Sequence, residues 1–259
     1  MAEAVPRNAE NGERQKRLLV VVDMQPVHLF YSSMLLQRLG YHIHALKTGE
    51  DALEIMNVAD VELILTEISL PGMDGVGLLK TIKRNPQTYQ MPVIILTSSK
   101  DQTIKNTCLQ EGCAAYLQKP VDPDMLYAAI QKETEIKPRK FIRLQTKLNV
   151  KVGDEELTAI SVINDYITAL SEQGMFISTL KPKPVGAQIP ITIFFEDTRI
   201  KVEGMVLYSF TREEGPLKTP GMGIKIVSIK PDDQRMIRDI ITKEITKGLT
   251  MGQVGGTVL

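Results

Sequence analysis

Two hydrophobic rhythms divide the chain. From Leu18 to about Thr134, short apolar runs alternate with stretches whose apolar residues recur at helical spacing. The first run, Leu18-Leu19-Val20-Val21-Val22, is continuous and largely β-branched, as suits a strand buried on both faces of a parallel sheet. Asp23 ends it. Val27 to Leu39 then carries Phe30, Met34 and Leu35 at helical spacing and stops at Gly40, a helix terminator. The cycle repeats with a strand near Tyr41–Leu46, a helix near Gly49–Met56, a strand over Val61–Thr66 and a helix from Gly75 to Arg84. A strand over Pro92–Leu96, a helix near Thr103–Gln110, a strand over Ala114–Gln118 and a last helix over Pro123–Thr134 follow. Five such strand–helix units predict a doubly wound α/β domain with a five-stranded parallel sheet.

Pro138 breaks any continuation of that helix and pushes Lys137 toward an extended conformation. Beyond it the rhythm shortens. Leu144, Leu148, Val150 and Val152 fall on one side of a strand, Gly153-Asp154 supplies a turn, and Leu157, Ile160 and Val162 resume. Ile189–Phe195 and Ile200–Tyr208 alternate around Glu196-Asp197, and Gly223–Ile229 supplies another strand. These predict a small antiparallel β-barrel. After Pro231, with Asp232 and Asp233 in a first helical turn, Ile237, Ile240, Ile241 and Ile245 form the stripe of a helix expected to pack on the barrel. The expected organisation is a disordered tail over 1–16, an α/β domain over 17–135, a barrel domain over 136–248 and a flexible tail over 249–259.

Composition narrows the function. Lysine plus arginine equals aspartate plus glutamate at 31 each among 259 residues, so no bulk charge draws the molecule to nucleic acid or an anionic membrane. Cys108 and Cys113 are too few for a disulfide framework and lack zinc-type spacing. No run approaches the roughly 18 apolar residues of a membrane span, and Met1 to Lys16 has no apolar signal core, so a cytoplasmic protein is expected. His42 and His44 share a side of a strand, but with His28 they read as ordinary surface or core histidines rather than a metal set. There is no G-x-S-x-G, P-loop or metalloprotease helix, and no enzyme is expected.

In doubly wound sheets the ligand sits beyond the carboxyl ends of the strands, which here are Asp23, Glu67, Thr97 and Lys119. From Arg17 to Thr134 the chain resembles the receiver domain of bacterial response regulators, through Val21-Val22-Asp23, Leu70-Pro71-Gly72-Met73-Asp74-Gly75, Thr97-Ser98 and Lys119-Pro120. The resemblance implies phosphoryl transfer to an aspartate beside Mg²⁺ and a charge-neutralising lysine. Two positions depart from it. Met24 follows Asp23 where the family has a second acid, and a thioether is a poor ligand for a hard cation. Glu67 stands at the phosphoacceptor position, its extra methylene carrying the carboxylate toward Lys119 and Thr97. Phosphorylation and Mg²⁺ are therefore not expected. Glu67 paired with Lys119 either holds the domain in one state or is a relic ion pair, while Thr97 and Tyr116 match the family's switch pair.

From about Arg139 to Lys247 the chain resembles a PilZ domain, a family of cyclic di-GMP receptors. The matching pieces are Arg139-Lys140-Phe141-Ile142-Arg143, Ala169-Leu170-Ser171-Glu172-Gln173-Gly174 and Pro220-Gly221-Met222-Gly223-Ile224-Lys225-Ile226. The resemblance implies that Arg139 and Arg143 clamp the dinucleotide, since a guanidinium stacks on guanine or forks two hydrogen bonds to phosphate. Ser171 would supply a hydroxyl, Gly174 a close backbone approach, and Lys140 general attraction. Ala169 departs from the family's Asp or Asn, a loss of about 1.5–3 kcal/mol that Thr168 or Asp165 could offset. A single dinucleotide is favoured because Pro138, not another arginine, precedes Arg139. The resemblance further implies an arm that folds over the barrel on binding, a protein partner in motility, pili or biofilm control, and homodimerisation through the receiver's last strand–helix face. The alternative is a nucleotide-independent scaffold with both ligand sites degenerate.

Overall fold

The structure, a computed structural model, describes residues 17–153, 165–211 and 220–249. The expected N-terminal tail, the apolar positions Leu157, Ile160 and Val162, and all of the expected C-terminal tail but Leu249 lie outside the described residues. The described residues fall into two compact units, one of 17–142 with 244–249 and one of 143–153, 165–211 and 220–243.

In the first unit β1 (Leu18–Val22), β2 (His42–Leu46), β3 (Leu63–Thr66), β4 (Val93–Thr97) and β5 (Ala115–Gln118) form a parallel sheet in the order β2-β1-β3-β4-β5. Helices α1 (Pro26–Arg38), α2 (Gly49–Met56), α3 (Gly75–Arg84), α4 (Gln102–Gln110) and α5 (Pro123–Thr134) connect and follow the strands. Every residue of β3 and β4 is buried, which is why their sequences are continuous apolar runs rather than alternating ones. The edge strands β2 and β5 are less buried, and His42, His44 and Gln118 are exposed. Carboxylate or hydroxyl caps start four helices. Thr48 Oγ1 accepts from Asp51 N, Asp74 Oδ1 from Gly77 N, Asp101 Oδ1 from Thr103 N and Asp122 Oδ1 from Asp124 N, each contributing about 1 kcal/mol.

Helix α1 corrects one expectation. Its buried face is Leu29, Ser32, Ser33, Leu35 and Leu36, and Phe30 is 60% exposed. Of the spaced apolar residues Leu35 is buried and Met34 half-buried, while Phe30 faces out and two serines occupy core-facing positions.

The second unit is a closed antiparallel barrel of β6 (Leu144–Val152), β7 (Tyr166–Ser171), β8 (Gly174–Ser178), β9 (Gln188–Phe195), β10 (Thr198–Phe210) and β11 (Gly221–Ile229), in the order β10-β11-β8-β7-β6-β9. Ile167, Ile177, Ile193 and Ile200 fill its interior, and alternate residues face out. Helix α6 (Pro231–Thr246) buries Ile237, Ile240, Ile241 and Ile245. The β7–β8 hairpin is the element that periodicity does not reveal. Its short strands are interrupted by a register shift between Ile167 and Ala169. Its turn, Glu172-Gln173, is tied to α6 by a two-pronged ion pair, Arg238 Nε and Nη2 donating to Glu172 at 2.9 and 2.8 Å.

Candidate functional site

The parallel sheet delivers Asp23, Glu67, Thr97 and Lys119 to one buried cluster, because each stands at or just after the carboxyl end of its strand. Lys119 Nζ donates to Glu67 Oε2 at 2.8 Å and also to Asp23 Oδ2. Thr97 Oγ1 donates to Glu67 Oε1, Ile68 N to the same oxygen at 2.7 Å, and Ser98 N to Glu67 Oε2 at 3.3 Å. Both Glu67 oxygens are thus committed. Asp23 Oδ1 accepts from Gln25 N at 2.8 Å. His28 Nδ1, buried and without a hydrogen-bond partner among the described residues, lies 3.9 Å from Asp23 Oδ2.

Burial alone raises the Glu67 carboxyl, but hydrogen bonds from Lys119 and Thr97, with the lysine's charge, hold it below its usual range. A carboxylate with a depressed folded-state value stabilises the fold above its unfolded value and loses that contribution as pH falls through the folded one. Wild-type thermal stability is therefore expected to decline from about pH 4.3 downward, and more steeply than that of Glu67→Gln in parallel melting curves. Equal slopes would remove Glu67 from the acid response.

The donor set does not suit Mg²⁺. Lys119 already occupies Asp23 Oδ2, both Glu67 oxygens are engaged, and Met24, 42% exposed, offers only sulfur. Asp74 is consumed as the cap of α3. Gly75 has a packing reason, since a Cβ there would lie 2.2 Å from Glu67 O. Thr97 and Tyr116 are linked through Ser99: Ser99 N donates to Thr97 Oγ1 at 3.1 Å, and Tyr116 Oη donates to Ser99 O at 3.4 Å. This bonded path from Glu67 to Tyr116 runs through Ser99, a residue that spacing does not single out.

At the barrel, Leu144, the first residue of β6, pairs with Leu170, so Arg143 just precedes the strand at the end of β7 where Ser171 lies. Leu144 is buried and Arg143 exposed, as alternation requires. Arg139 belongs to the first unit, half-buried, its backbone N donating to Gln131 Oε1 at 3.1 Å; Lys140 is exposed and lies over the Phe141 ring. Among the described residues neither guanidinium has an acidic partner. Ser171 Oγ donates to Gly174 O at 3.0 Å, which tightens the hairpin. A Cβ on Gly174 would lie 2.4 Å from Ile224 O, so this glycine admits the neighbouring strand's own backbone. Ala169 stands between Gln145 and Phe176.

Residues 19–131 match the family model of the response regulator receiver domain, and residues 137–243 match that of the PilZ domain. Among curated proteins, two-component response regulator ORR7 of Oryza sativa subsp. japonica is 37% identical over 106 residues, covering 40% of this chain and 50% of that protein. Two-component response regulator ORR5 of the same organism is 32% identical over 124 residues, covering 48% of this chain and 91% of that protein. The chain spans about half the length, or less, of several curated relatives it matches. Among solved structures, the signal receiver domain of an HD domain-containing protein from Pseudomonas fluorescens Pf-5 is similar at 30% identity and a TM-score of 0.43, over 46% of this chain and 94% of that one.

Proposed function

Because the chain belongs to the response regulator receiver family and carries a PilZ domain behind its receiver, we propose that it is a non-enzymatic bacterial signalling adaptor that takes its input from cyclic di-GMP and not from phosphate. Arg139 and Arg143 clamp the dinucleotide, Lys140 adds attraction, and Ser171 and Gly174 present the hairpin to it. The bound state is relayed to a protein partner acting in motility, pili or biofilm control, in the cytoplasm.

One contrast carries the reading. At the strand ends the carboxylate that would accept phosphate is fully engaged by Lys119, Thr97, Ile68 and Ser98, whereas at the barrel the exposed Arg143 immediately precedes β6, whose Leu144 pairs with Leu170 next to Ser171. In-line attack needs a free, correctly placed oxygen. Glu67 has none to offer.

Incubation with acetyl phosphate and Mg²⁺, followed by intact-mass measurement, is expected to leave the mass unchanged. A gain of one phosphate, mapped to Glu67 or Asp74, would return the protein to conventional phosphorylation.

A nucleotide-independent scaffold is the second reading. It is favoured by Ala169 and by the structural employment of Ser171 and Gly174, whose hydroxyl and missing Cβ already serve the hairpin and β11. The exposed Arg143, without an acidic partner among the described residues, counts against it, because a scaffold gains nothing from an unneutralised guanidinium beside the hairpin.

A further inference from the structure

On the outer face of the barrel, three strands bring aromatic rings and glycines together. Phe176 of β8, Gly223 of β11 and Tyr208 of β10 stand in one register row, which continues through Ala169 of β7 to Gln145 of β6. On one side lies the row Ser178, Gly221 and Phe210; on the other lies Ser171, Gly174 and Lys225. A Cβ on Gly223 would fall 2.2 Å from the Tyr208 ring, and one on Gly221 would fall 2.7 Å from the Phe176 ring. Both rings therefore reach over the β11 backbone at its glycines. Their centroids are 6.3 Å apart with planes 27° from parallel, and the Phe210 ring lies 5.4 Å beyond Tyr208.

Laying a ring across a strand glycine supports a sheet by itself. It does not require the ring to stay open to solvent, yet Tyr208 is 42% exposed.

We infer that Phe176 and Tyr208 form a stacking shelf for a guanine base of cyclic di-GMP, an inference that rests on the dinucleotide reading above. The shelf begins beside Ala169, where a carboxylate or amide would have read the base edge. A methyl group there cannot accept a hydrogen bond, but it leaves the approach to Phe176 unobstructed. Stacking needs only a flat π face and no edge partner, so it supplies attraction of the kind this site retains. The adjoining row runs from exposed Lys225 through Gly174 to Ser171, and exposed Arg143 immediately precedes β6, the strand paired with β7, so cations flank the shelf where a phosphodiester would lie. Two or three rings make a surface of nucleobase size, and the flanking charge suits an anionic ligand.

The chain contains no tryptophan, so Tyr208→Trp places a single indole in the shelf of the full-length protein. Titration with cyclic di-GMP is expected to quench its emission along the calorimetric isotherm. Tyr208→Ala, checked for folding by its melting curve, is expected to weaken calorimetric affinity about tenfold. Calorimetric binding with unquenched indole emission overturns the shelf and leaves the receptor reading standing. Absence of heat and of quenching with the wild-type and Tyr208→Trp chains overturns both.

Discussion

Replacing Arg139 and Arg143 together by alanine is expected to weaken cyclic di-GMP binding by roughly a hundred- to ten-thousandfold, enough to erase a calorimetric signal. Each guanidinium supplies charge-assisted hydrogen bonds worth about 1.5–3 kcal/mol, and each factor of ten in affinity corresponds to about 1.4 kcal/mol. Under the proposed function the arginines would answer for most of the affinity, because the motif's remaining members are weakened or occupied. Ala169 has no hydrogen-bonding group, and the Ser171 hydroxyl is engaged with Gly174 O. Arginine-to-lysine variants are expected to recover little, since an ammonium can neither fork onto a phosphate nor stack on guanine. The converse arm is Ala169→Asp, expected to tighten binding roughly ten- to hundredfold by restoring a charged acceptor. Undiminished binding by the double variant would remove the arm from the site.

Lys119→Met is expected to destabilise the first unit by about 3–5 kcal/mol, the usual effect of stranding buried charge. The side chains of Lys119 and Asp23 are each 4% exposed and that of Glu67 8% exposed, so water cannot replace the missing ammonium. Two carboxylates would then face each other across the place it held. Denaturant unfolding should register the loss at neutral pH. Lys119→Met combined with Glu67→Gln should recover part of it, because one of the two stranded charges is gone. The deficit should also shrink in acid, as Glu67 takes up a proton in the variant more readily than in the wild type. A loss below about 1 kcal/mol would be the behaviour of an exposed ion pair and would contradict this account of the cluster.

The two halves differ in how openly their sequences announce them. In the α/β unit, β3 and β4 are buried throughout and read as unbroken apolar runs; Asp74, Asp101 and Asp122 mark helix starts by their side-chain chemistry. The convergence of Asp23, Glu67, Thr97 and Lys119 also follows from sequence, since parallel strands aim their carboxyl ends at one edge. His28 reads in sequence as an ordinary histidine and Ser99 escapes notice, because their places in the cluster depend on a helix turn and a loop. The helix α1 follows from the spacing of Phe30, Met34 and Leu35, but not its buried face, where Ser32 and Ser33 face the core and Phe30 faces out.

In the barrel, the β7–β8 hairpin is short, polar at its turn and shifted in register, so alternation is lost where the binding motif lies. The Glu172–Arg238 pair joins residues 66 apart, and the Phe176–Tyr208 shelf depends on a register shift in β10 between Val206 and Tyr208. Neither carries a local signature. The glycines Gly174, Gly221 and Gly223 did stand out, although their immediate reason is close packing within the barrel.

The central claim is that this protein senses a cyclic dinucleotide through its barrel. Its most direct test is calorimetric titration of the full-length wild-type chain with cyclic di-GMP. The account predicts saturable heat at one dinucleotide per chain, unchanged by prior incubation with acetyl phosphate and Mg²⁺. Absence of heat at high ligand concentration, with Ala169→Asp equally silent, would contradict it and leave the scaffold.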